Sequence, residues 1–497
     1  MPVAVDDGSL YIYKKFSPGT GASPMKAFLT KSAMLMALLG GAIACAQRAP
    51  VSPQQPWTGM TSLQAPRERS AIVFVPDPAK IYTLPELVNL AEQNNPETRV
   101  AWENAKARAA DLGVSKASLY PTIAALAVAQ TARDNLFFAP KYYRQTIESF
   151  SPALELDYTI FDFGRRLHEI AISRNDLLAA NFLFNDTHRK VIFQVMAAYY
   201  RVLNAKGQED AAEANLKNAQ TVQQAAEARL DLGLATLPDV LEARSAAAQA
   251  DYDLQAAVGA SEIAHGDLDT AMGISPVNPL QVESIQTLTI PQDLAGTVEA
   301  SIDKALAQRP DLMRRVAELR AAHAEVKEAK SAYLPTLQIT GTAGLDKNVS
   351  EQDQASGVYS ANQEFWSAHL SLTWNLFDGF ARESRLARAK ADQKQAEAEV
   401  DAIRDQVENE VWAAYSTART ALRQQKAAAA LLDAASSSYN AALQSYNFGV
   451  RSQIDVVSAQ RTLAAASTAD VSARTHLLTG MAALAFQTGD LLHAKGP

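Results

Sequence analysis

Cysteine is nearly absent from this sequence. Cys45 is the single cysteine in 497 residues, so an internal disulfide framework is excluded. The histidines are scattered, no cysteine and histidine spacing resembles a zinc site, and no nucleophile elbow or phosphate-binding loop occurs. The net charge is -8, and Lys and Arg do not cluster. We therefore predict that the protein is not an enzyme, holds no metal or cofactor, and does not bind nucleic acid.

Cys45 stands at the end of a stretch with the order of a secretory signal. Two lysines precede an apolar run over residues 33–44, which is too short to span a bilayer as a permanent helix. Residues 42–45 resemble a bacterial lipobox, in which the cysteine becomes the acylated first residue of the mature chain. Ala46 is not acidic, which favours the outer membrane over the inner one. The alternative is an ordinary signal whose cleavage site happens to lie beside a cysteine.

The rest of the chain contains an internal repeat, in which one sequence unit occurs in two copies. Five pairs of landmarks share a single offset of 216 residues, which is hard to obtain by chance. The pairs are Phe161 and Phe377, Tyr199 and Tyr415, Gly233 and Gly449, Asp239 and Asp455, and Gly273 and Gly489. The predicted segments are a leader and signal peptide at 1–44, starting at Met1 or Met25, a lipid-anchored segment at 45–81, a first repeat at 82–276, a linker at 277–297, a second repeat at 298–492 and a tail at 493–497.

Each copy is predicted to begin with two helices, the second ended by a proline, and to continue with two strands. Apolar and polar residues alternate in the second strand of each pair, which is the period of a strand with one apolar and one wet face. The strands are predicted around residues 122–131, 154–160, 336–345 and 370–376, with polar loops at 133–148 and 346–364.

Very long helices are predicted after the strands, over residues 165–232 and 381–448. Neither stretch contains proline, and apolar residues recur at spacings of three and four, which places them on one stripe. At 1.5 Å per residue each helix is roughly 100 Å long. A second long helix follows Gly233 and Gly449, since glycine suits a chain reversal that needs positive φ.

The strand count has a physical consequence. Strands of about ten residues can cross a bilayer when tilted, but four of them cannot close, and open edges in lipid leave backbone groups unpaired. We therefore predict an α+β membrane protein: a trimeric 12-stranded β-barrel, with four strands per chain, that continues into a long α-helical coiled-coil barrel. A coiled-coil scaffold protein is the alternative, although it leaves the paired strands after a secretion signal unexplained.

Several repeated motifs carry a family resemblance. They are the Asn/Arg-Pro-Glu/Asp starts, FDFG at 161–164, FDGF at 377–380, and the glycines followed by Asp-Val. With these motifs, residues 82–492 resemble the TolC-like outer-membrane efflux protein family. The resemblance implies a homotrimer with a 12-stranded barrel and a periplasmic helical tunnel.

The same resemblance implies a function and partners. It indicates a passive exit duct for small molecules in the outer membrane, served by a periplasmic adaptor protein and an inner-membrane pump. Cys45 points to the lipidated, NodT-like branch that serves resistance-nodulation-division pumps, anchored in outer-membrane lipid. The exit duct of a type I protein secretion system is the alternative.

The resemblance also suggests where the working parts lie. In the family the helix tips form the periplasmic end and contact the adaptor, so Gly233 and Gly449 are candidate docking positions. The family also carries a closing network of Asp, Tyr and Arg around the tips. The matching residues here, which we predict to form a periplasmic gate, are Asp239, Tyr446, Arg451 and Asp455. The alternative is that these glycines and polar residues serve only as helix caps.

Overall fold

Residues 77, 80–138, 141–276, 280–294, 296–352 and 358–492 are described by the structure, a computed structural model of the chain. The predicted signal peptide, the predicted lipidation site Cys45 and the tail at 493–497 lie outside these described residues. The described residues all fall within one structural unit, residues 73–497.

The same order of elements occurs in both halves of the described chain. The first half has β1 (Ile81–Tyr82), α1 (Leu84–Asn94), α2 (Pro96–Ala117), β2 (Thr122–Phe138), β3 (Lys141–Phe161), α3 (Arg165–Asp231) and α4 (Leu237–Ala271). The second has β4 (Gln281–Val282), α5 (Val298–Gln308), α6 (Pro310–Ser331), β5 (Thr336–Gln352), β6 (Val358–Thr373), α7 (Ala381–Asn447) and α8 (Gln453–Thr488), followed by a 3-10 turn at Asp490–Leu492. The helices α3 and α7 have 67 residues each.

The long helices agree with the sequence prediction. Both α3 and α7 begin at the predicted residue and end one residue before the predicted end. The apolar stripe is their buried face: Val195, Val407 and Val411 are each 0% exposed. Across the described residues, we find no helix with the length and apolar character needed to cross a membrane.

The four long strands form one antiparallel sheet in the order β2-β3-β5-β6. One face of β6 carries large exposed apolar side chains, with Trp366, Leu370 and Leu372 at 81%, 67% and 68%. The residues between them, among them Ser367 and Ser371, place polar groups on the other face, as the period of two requires. The sheet therefore has an apolar face that no part of the described chain covers.

The prediction of polar loops at 133–148 and 346–364 is wrong. These residues are mostly strand, since β2 pairs with β3 from Thr122 to Phe138, and β5 pairs with β6 from Thr336 to Glu351. The physical reason is that backbone hydrogen bonds hold a sheet together whether or not its side chains are apolar. The alternation of apolar residues marks only the part of each strand that has an apolar face.

The Phe-Asp motifs are the turns from sheet to helix. Asp162 accepts hydrogen bonds from the backbone N–H of Arg166 (3.1 Å) and from its Nε (2.8 Å), and so caps the start of α3. Asp378 does the same for α7, accepting from the N–H of Arg382 at 3.2 Å. Each turn holds a phenylalanine at positive φ, Phe163 at 54° and Phe380 at 66°. Non-glycine residues rarely adopt this conformation, which a capped helix start can hold in place.

The main apolar core lies halfway along α3. Val191, Val195 and Val202 pack with Leu87 of α1 and Leu268 of α4, all at 0% exposure. A smaller cluster of Ala305, Val407 and Val411 lies at the corresponding place in the second half. The short helices α1 and α5 thus cover the middle of the long ones.

A buried ionic cluster joins the two halves beside this core. Arg309, whose side chain is 3% exposed, donates to Asp311 Oδ2 at 2.6 Å, pairs with Glu410 at 2.8 Å, and donates to Gln487 at 2.8 Å. Arg189 of α3 donates to Asp186 at 2.6 Å and to the Phe486 carbonyl oxygen at 3.1 Å. Its Nη2 lies 3.7 Å from Asp311. The cluster connects α3, α6, α7 and α8.

Candidate functional site: the helix tips

The two helical hairpins end in tips of the same backbone design. Gly233 at φ 72° donates to the Leu230 carbonyl (2.8 Å), and Leu234 donates to the Arg229 carbonyl (2.8 Å). In the second tip Gly449, at φ 79°, repeats this arrangement. These are Schellman caps, in which a glycine tolerates the left-handed conformation and the last helix carbonyls find partners. The structure therefore shows both predicted tip glycines reversing the chain.

The helices that leave the tips begin with capping boxes. Asp239 accepts from the Thr236 hydroxyl (2.6 Å) and N–H (2.9 Å), and Asp455 accepts from the Ser452 hydroxyl (2.8 Å) and N–H (3.1 Å). The hydroxyl hydrogen bond, followed by the one from the backbone, holds the pKa of each carboxyl below its ordinary value. Both residues thus carry a full negative charge at neutral pH. The capping role left open from the sequence is observed for both.

Tyr446 lies inside the second tip. It is 5% exposed and packs with Val222, Tyr439, Val456 and Val457. Burial raises the pKa of its phenol, so the ring stays neutral under physiological conditions. Tyr446 is therefore a packed residue of the tip and does not project from it.

The arginine that contacts Tyr446 is Arg229, which was not predicted from the sequence. Its Nη1 donates to the Tyr446 carbonyl oxygen at 2.6 Å, and the guanidinium carbon lies 4.4 Å from the centre of the Tyr446 ring. The sequence held one signal for it, because the equivalent position of the second copy is Ser445. This is the kind of departure from the repeat that singled out Tyr446 and Arg451.

Arg451, by contrast, is exposed, and within the described part of the chain its side chain has no hydrogen-bond or ion-pair partner. Its charge contributes to the lowered pKa of Asp455, after the contributions of Ser452. Within one chain Asp239 lies close enough to Tyr446 for its charge to help raise the pKa of the phenol, whereas the Arg451 side chain forms no hydrogen bond or ion pair with either residue in the described chain. Their joint role as a gate stays a prediction that concerns contacts between chains.

Large apolar side chains flank both tip glycines and point into solvent. Leu232 and Leu234 are 73% and 67% exposed, and Phe448 and Val450 are 85% and 80% exposed. A methyl group added at either glycine would meet nothing within 4 Å. Exposed apolar patches of this kind make the tips a candidate surface for contact with another protein.

The sheet has an uncovered apolar face and continues into helices of 67 residues that end in exposed apolar tips. This arrangement is typical of a membrane channel with a long extension outside the bilayer. Comparison with known proteins agrees. The family model described as outer membrane efflux protein matches residues 87–274 and 301–490. The chain therefore belongs to the outer membrane efflux protein family, and it is an efflux channel of the outer membrane.

Individual relatives are distant but cover most of the chain. The chain is 28% identical over 350 residues to Protein CyaE of Bordetella pertussis, a match that covers 69% of this chain and 70% of CyaE. It is 24% identical over 416 residues to the toluene efflux pump outer membrane protein TtgC of Pseudomonas putida, which covers 82% of both. The crystal structure of the CmeC outer membrane channel of Campylobacter jejuni shares the fold, with a TM-score of 0.68 at 20% identity, covering 82% of this chain and 85% of that one.

Proposed function

We propose that this chain is the outer-membrane component of a tripartite efflux pump, a passive exit duct for small toxic molecules such as drugs. The observation that carries the proposal is the pairing of an uncovered apolar sheet with exposed apolar tips at the far end of the long helices. The name of the relative TtgC, a toluene efflux pump outer membrane protein, supports small molecules as the substrate class.

The sheet supports assembly into a homotrimer. The strands β2 and β6 are the outer strands of the four-stranded sheet, and an open edge inside a bilayer leaves backbone groups without partners at a cost of several kcal/mol each. Pairing β6 of one chain with β2 of the next removes every edge. Three chains, each built from two copies of one unit, then close a 12-stranded barrel above a helical coiled-coil barrel.

The exposed side chains at the tips support the proposal of two partner proteins, a periplasmic adaptor and an inner-membrane pump. We assign the patch of Leu232, Leu234, Phe448 and Val450, with Gly233 and Gly449 at its turns, to docking of the periplasmic adaptor, which connects the duct to an inner-membrane pump of the resistance-nodulation-division type. Exposed apolar side chains at the centre of an interface commonly supply much of its binding energy. Acylation of Cys45 would add an anchor in outer-membrane lipid.

The function is tested in a deletion strain of the source bacterium. Loss of this chain is expected to increase sensitivity to several small toxic compounds, and the wild-type gene is expected to restore resistance. Outer-membrane fractions are expected to contain a trimer that dissociates on heating. A strain that keeps its resistance but retains a secreted protein inside the cell would instead favour the type I secretion duct. Absence of trimers from the outer membrane would favour the scaffold alternative.

We also propose that Asp239, Tyr446, Arg451 and Asp455 form the periplasmic gate between the chains of the trimer. Exposed ion pairs contribute only about 0 to 1 kcal/mol each, so a gate made of them can be opened by a partner. Among the described residues the exposed Arg451 side chain has no partner, which fits a residue whose partner belongs to another chain.

Replacing Tyr446→Phe together with Arg451→Ser is expected to raise the open probability of the trimer in planar bilayers by about tenfold, because the weak contacts of all three chains are lost together and a total of about 1.4 kcal/mol corresponds to a factor of ten. The control is Tyr252→Phe with Arg423→Ser, two exposed residues in the middle of α4 and α7. If the tip variant and the control conduct alike, these residues do not form the gate.

A further inference from the structure

Arg229 connects the two hairpins at their tips. It lies in the last turn of α3, while its hydrogen-bond acceptor, the Tyr446 carbonyl, lies in the last turn of α7. The same carbonyl also accepts the N–H of Gly449 at 2.9 Å, so both of its lone pairs are used. Near the tips of the described chain, this hydrogen bond ties the first hairpin to the second. The hydrogen bond joins two residues that are 217 positions apart in the sequence.

Electrostatics explain why an arginine occupies this position. Both α3 and α7 end at the tips, so two helix C-termini lie side by side, each with a partial negative charge near half an electron. Like charges placed together repel, and a cation at a helix C-terminus offsets the charge. Arg229 belongs to one of these helices and bonds to a terminal carbonyl of the other, so one guanidinium serves both ends.

The surroundings leave the guanidinium free for this task. The nearby carboxylate Glu227 is held by Arg244 (2.9 Å) and Gln223 (3.1 Å) within the first hairpin. Hydrogen bonds from Gln223 and then Arg244 keep the pKa of Glu227 low. In the described chain, no carboxylate lies within ion-pair distance of Arg229, which instead stacks on Tyr446 at 4.4 Å.

We propose that Arg229 is a positioning residue that latches the tip of the second hairpin to the first, holds Tyr446 in place and thereby sets the resting aperture of the duct. This rests on the proposed function as a gated channel. The latch is one-sided, since the second copy has Ser445 where the first has Arg229. Separation of the second hairpin from the first must therefore break this contact.

The latch is tested by Arg229→Gln, with Arg244→Gln as the matched control. Arg244 is a more exposed arginine near the same tip, and its partner Glu227 lies in its own hairpin. Amide hydrogen exchange over residues 445–451 is expected to become at least about tenfold faster in Arg229→Gln, since a hydrogen bond to a charged donor is lost, and to stay unchanged in Arg244→Gln. Arg229→Lys, which keeps the charge, is expected to restore part of the protection.

Bilayer conductance adds a functional measurement. Open probability is expected to rise about tenfold in Arg229→Gln and not in Arg244→Gln, with the thermal unfolding midpoint of both variants close to that of the wild type. Equal exchange and equal conductance in the two variants would overturn the latch. If the wild-type trimer itself forms no channel, the proposed function fails, whereas the exchange comparison still decides whether Arg229 joins the hairpins.

Discussion

Arg309→Met is expected to destabilise the chain by about 3–5 kcal/mol, which is enough to abolish accumulation in the outer membrane. Methionine fills a similar volume, but it leaves Glu410 without its ion-pair partner and Asp311 with only the more distant Arg189, at 3.7 Å. Removing one member of a buried ion pair costs this much because the remaining charge stays away from water. The measurement is the amount of heat-modifiable trimer, together with thermal unfolding of purified protein.

The control for this prediction is Arg315→Met. Arg315 pairs with Glu318 (2.8 Å) and Glu399 (2.9 Å), but its side chain is 35% exposed, so water can replace the lost partners. We expect a loss of about 0–1 kcal/mol, as for other exposed pairs. Similar losses for Arg309→Met and Arg315→Met would contradict the assignment of the cluster as a buried one.

The pH dependence gives an independent check. Burial acts to raise the pKa of Asp311, but the hydrogen bonds and charge of Arg309 outweigh it and hold the pKa below its ordinary value. The wild type therefore has this stabilisation above about pH 4 and loses it as the pH falls through the lowered value. Without Arg309, burial favours the protonated carboxyl of Asp311, so lowering the pH reduces the destabilisation of the variant. The stability gap between the two proteins is expected to narrow from pH 7 to pH 4.

Gly273→Ala is expected to cost about 2–5 kcal/mol. At φ 75° an alanine is strained by about 1–2 kcal/mol. Its methyl group would also lie 2.9 Å from the Asn94 carbonyl oxygen and 3.0 Å from the Asn95 Cα, which is backbone that cannot move aside. Asn95 is fixed there by its own bond to the Ala271 carbonyl at 3.0 Å. The thermal unfolding midpoint measures the loss.

The repeat supplies the matched control, Gly489→Ala. Gly489 has nearly the same conformation, at φ 85°, but an added methyl group would lie no closer than 3.4 Å to Gln308, an ordinary contact. Only the conformational part of the cost remains, about 1–2 kcal/mol. A loss of equal size in both variants would show that the close approach to Asn94 does not matter.

The sequence predicted the helices well because their signals are local. The absence of proline, the recurring apolar stripe and the glycines at the tips set the ends of α3 and α7 to within one residue. The strands were predicted too short, since alternation reports where the apolar face is and says nothing about how far the backbone stays paired. Hydrogen bonds between backbones leave no trace in the side-chain pattern.

The candidate site was only partly visible for a related reason. Gly233, Gly449, Asp239 and Asp455 follow local rules of helix capping, and the structure shows each of them in a cap. Arg229 bonds to a main-chain carbonyl far along the chain, and no residue type marks such a partner. Asn95 and Arg309, the first residues of the two Asn/Arg-Pro-Glu/Asp motifs, also differ in chemistry: Asn95 caps α2, whereas Arg309 forms the centre of the buried ionic cluster.

The Schellman caps of the tips are closed by backbone groups alone. Leu232, Leu234, Phe448 and Val450 contribute main-chain atoms to the reversals or their flanks, while their side chains remain exposed. Folding of the hairpins therefore places little demand on the identity of these side chains. Under the docking proposed for the tips, exchanging these four side chains would change which partner protein the duct binds, while the backbone of the hairpins stays as it is.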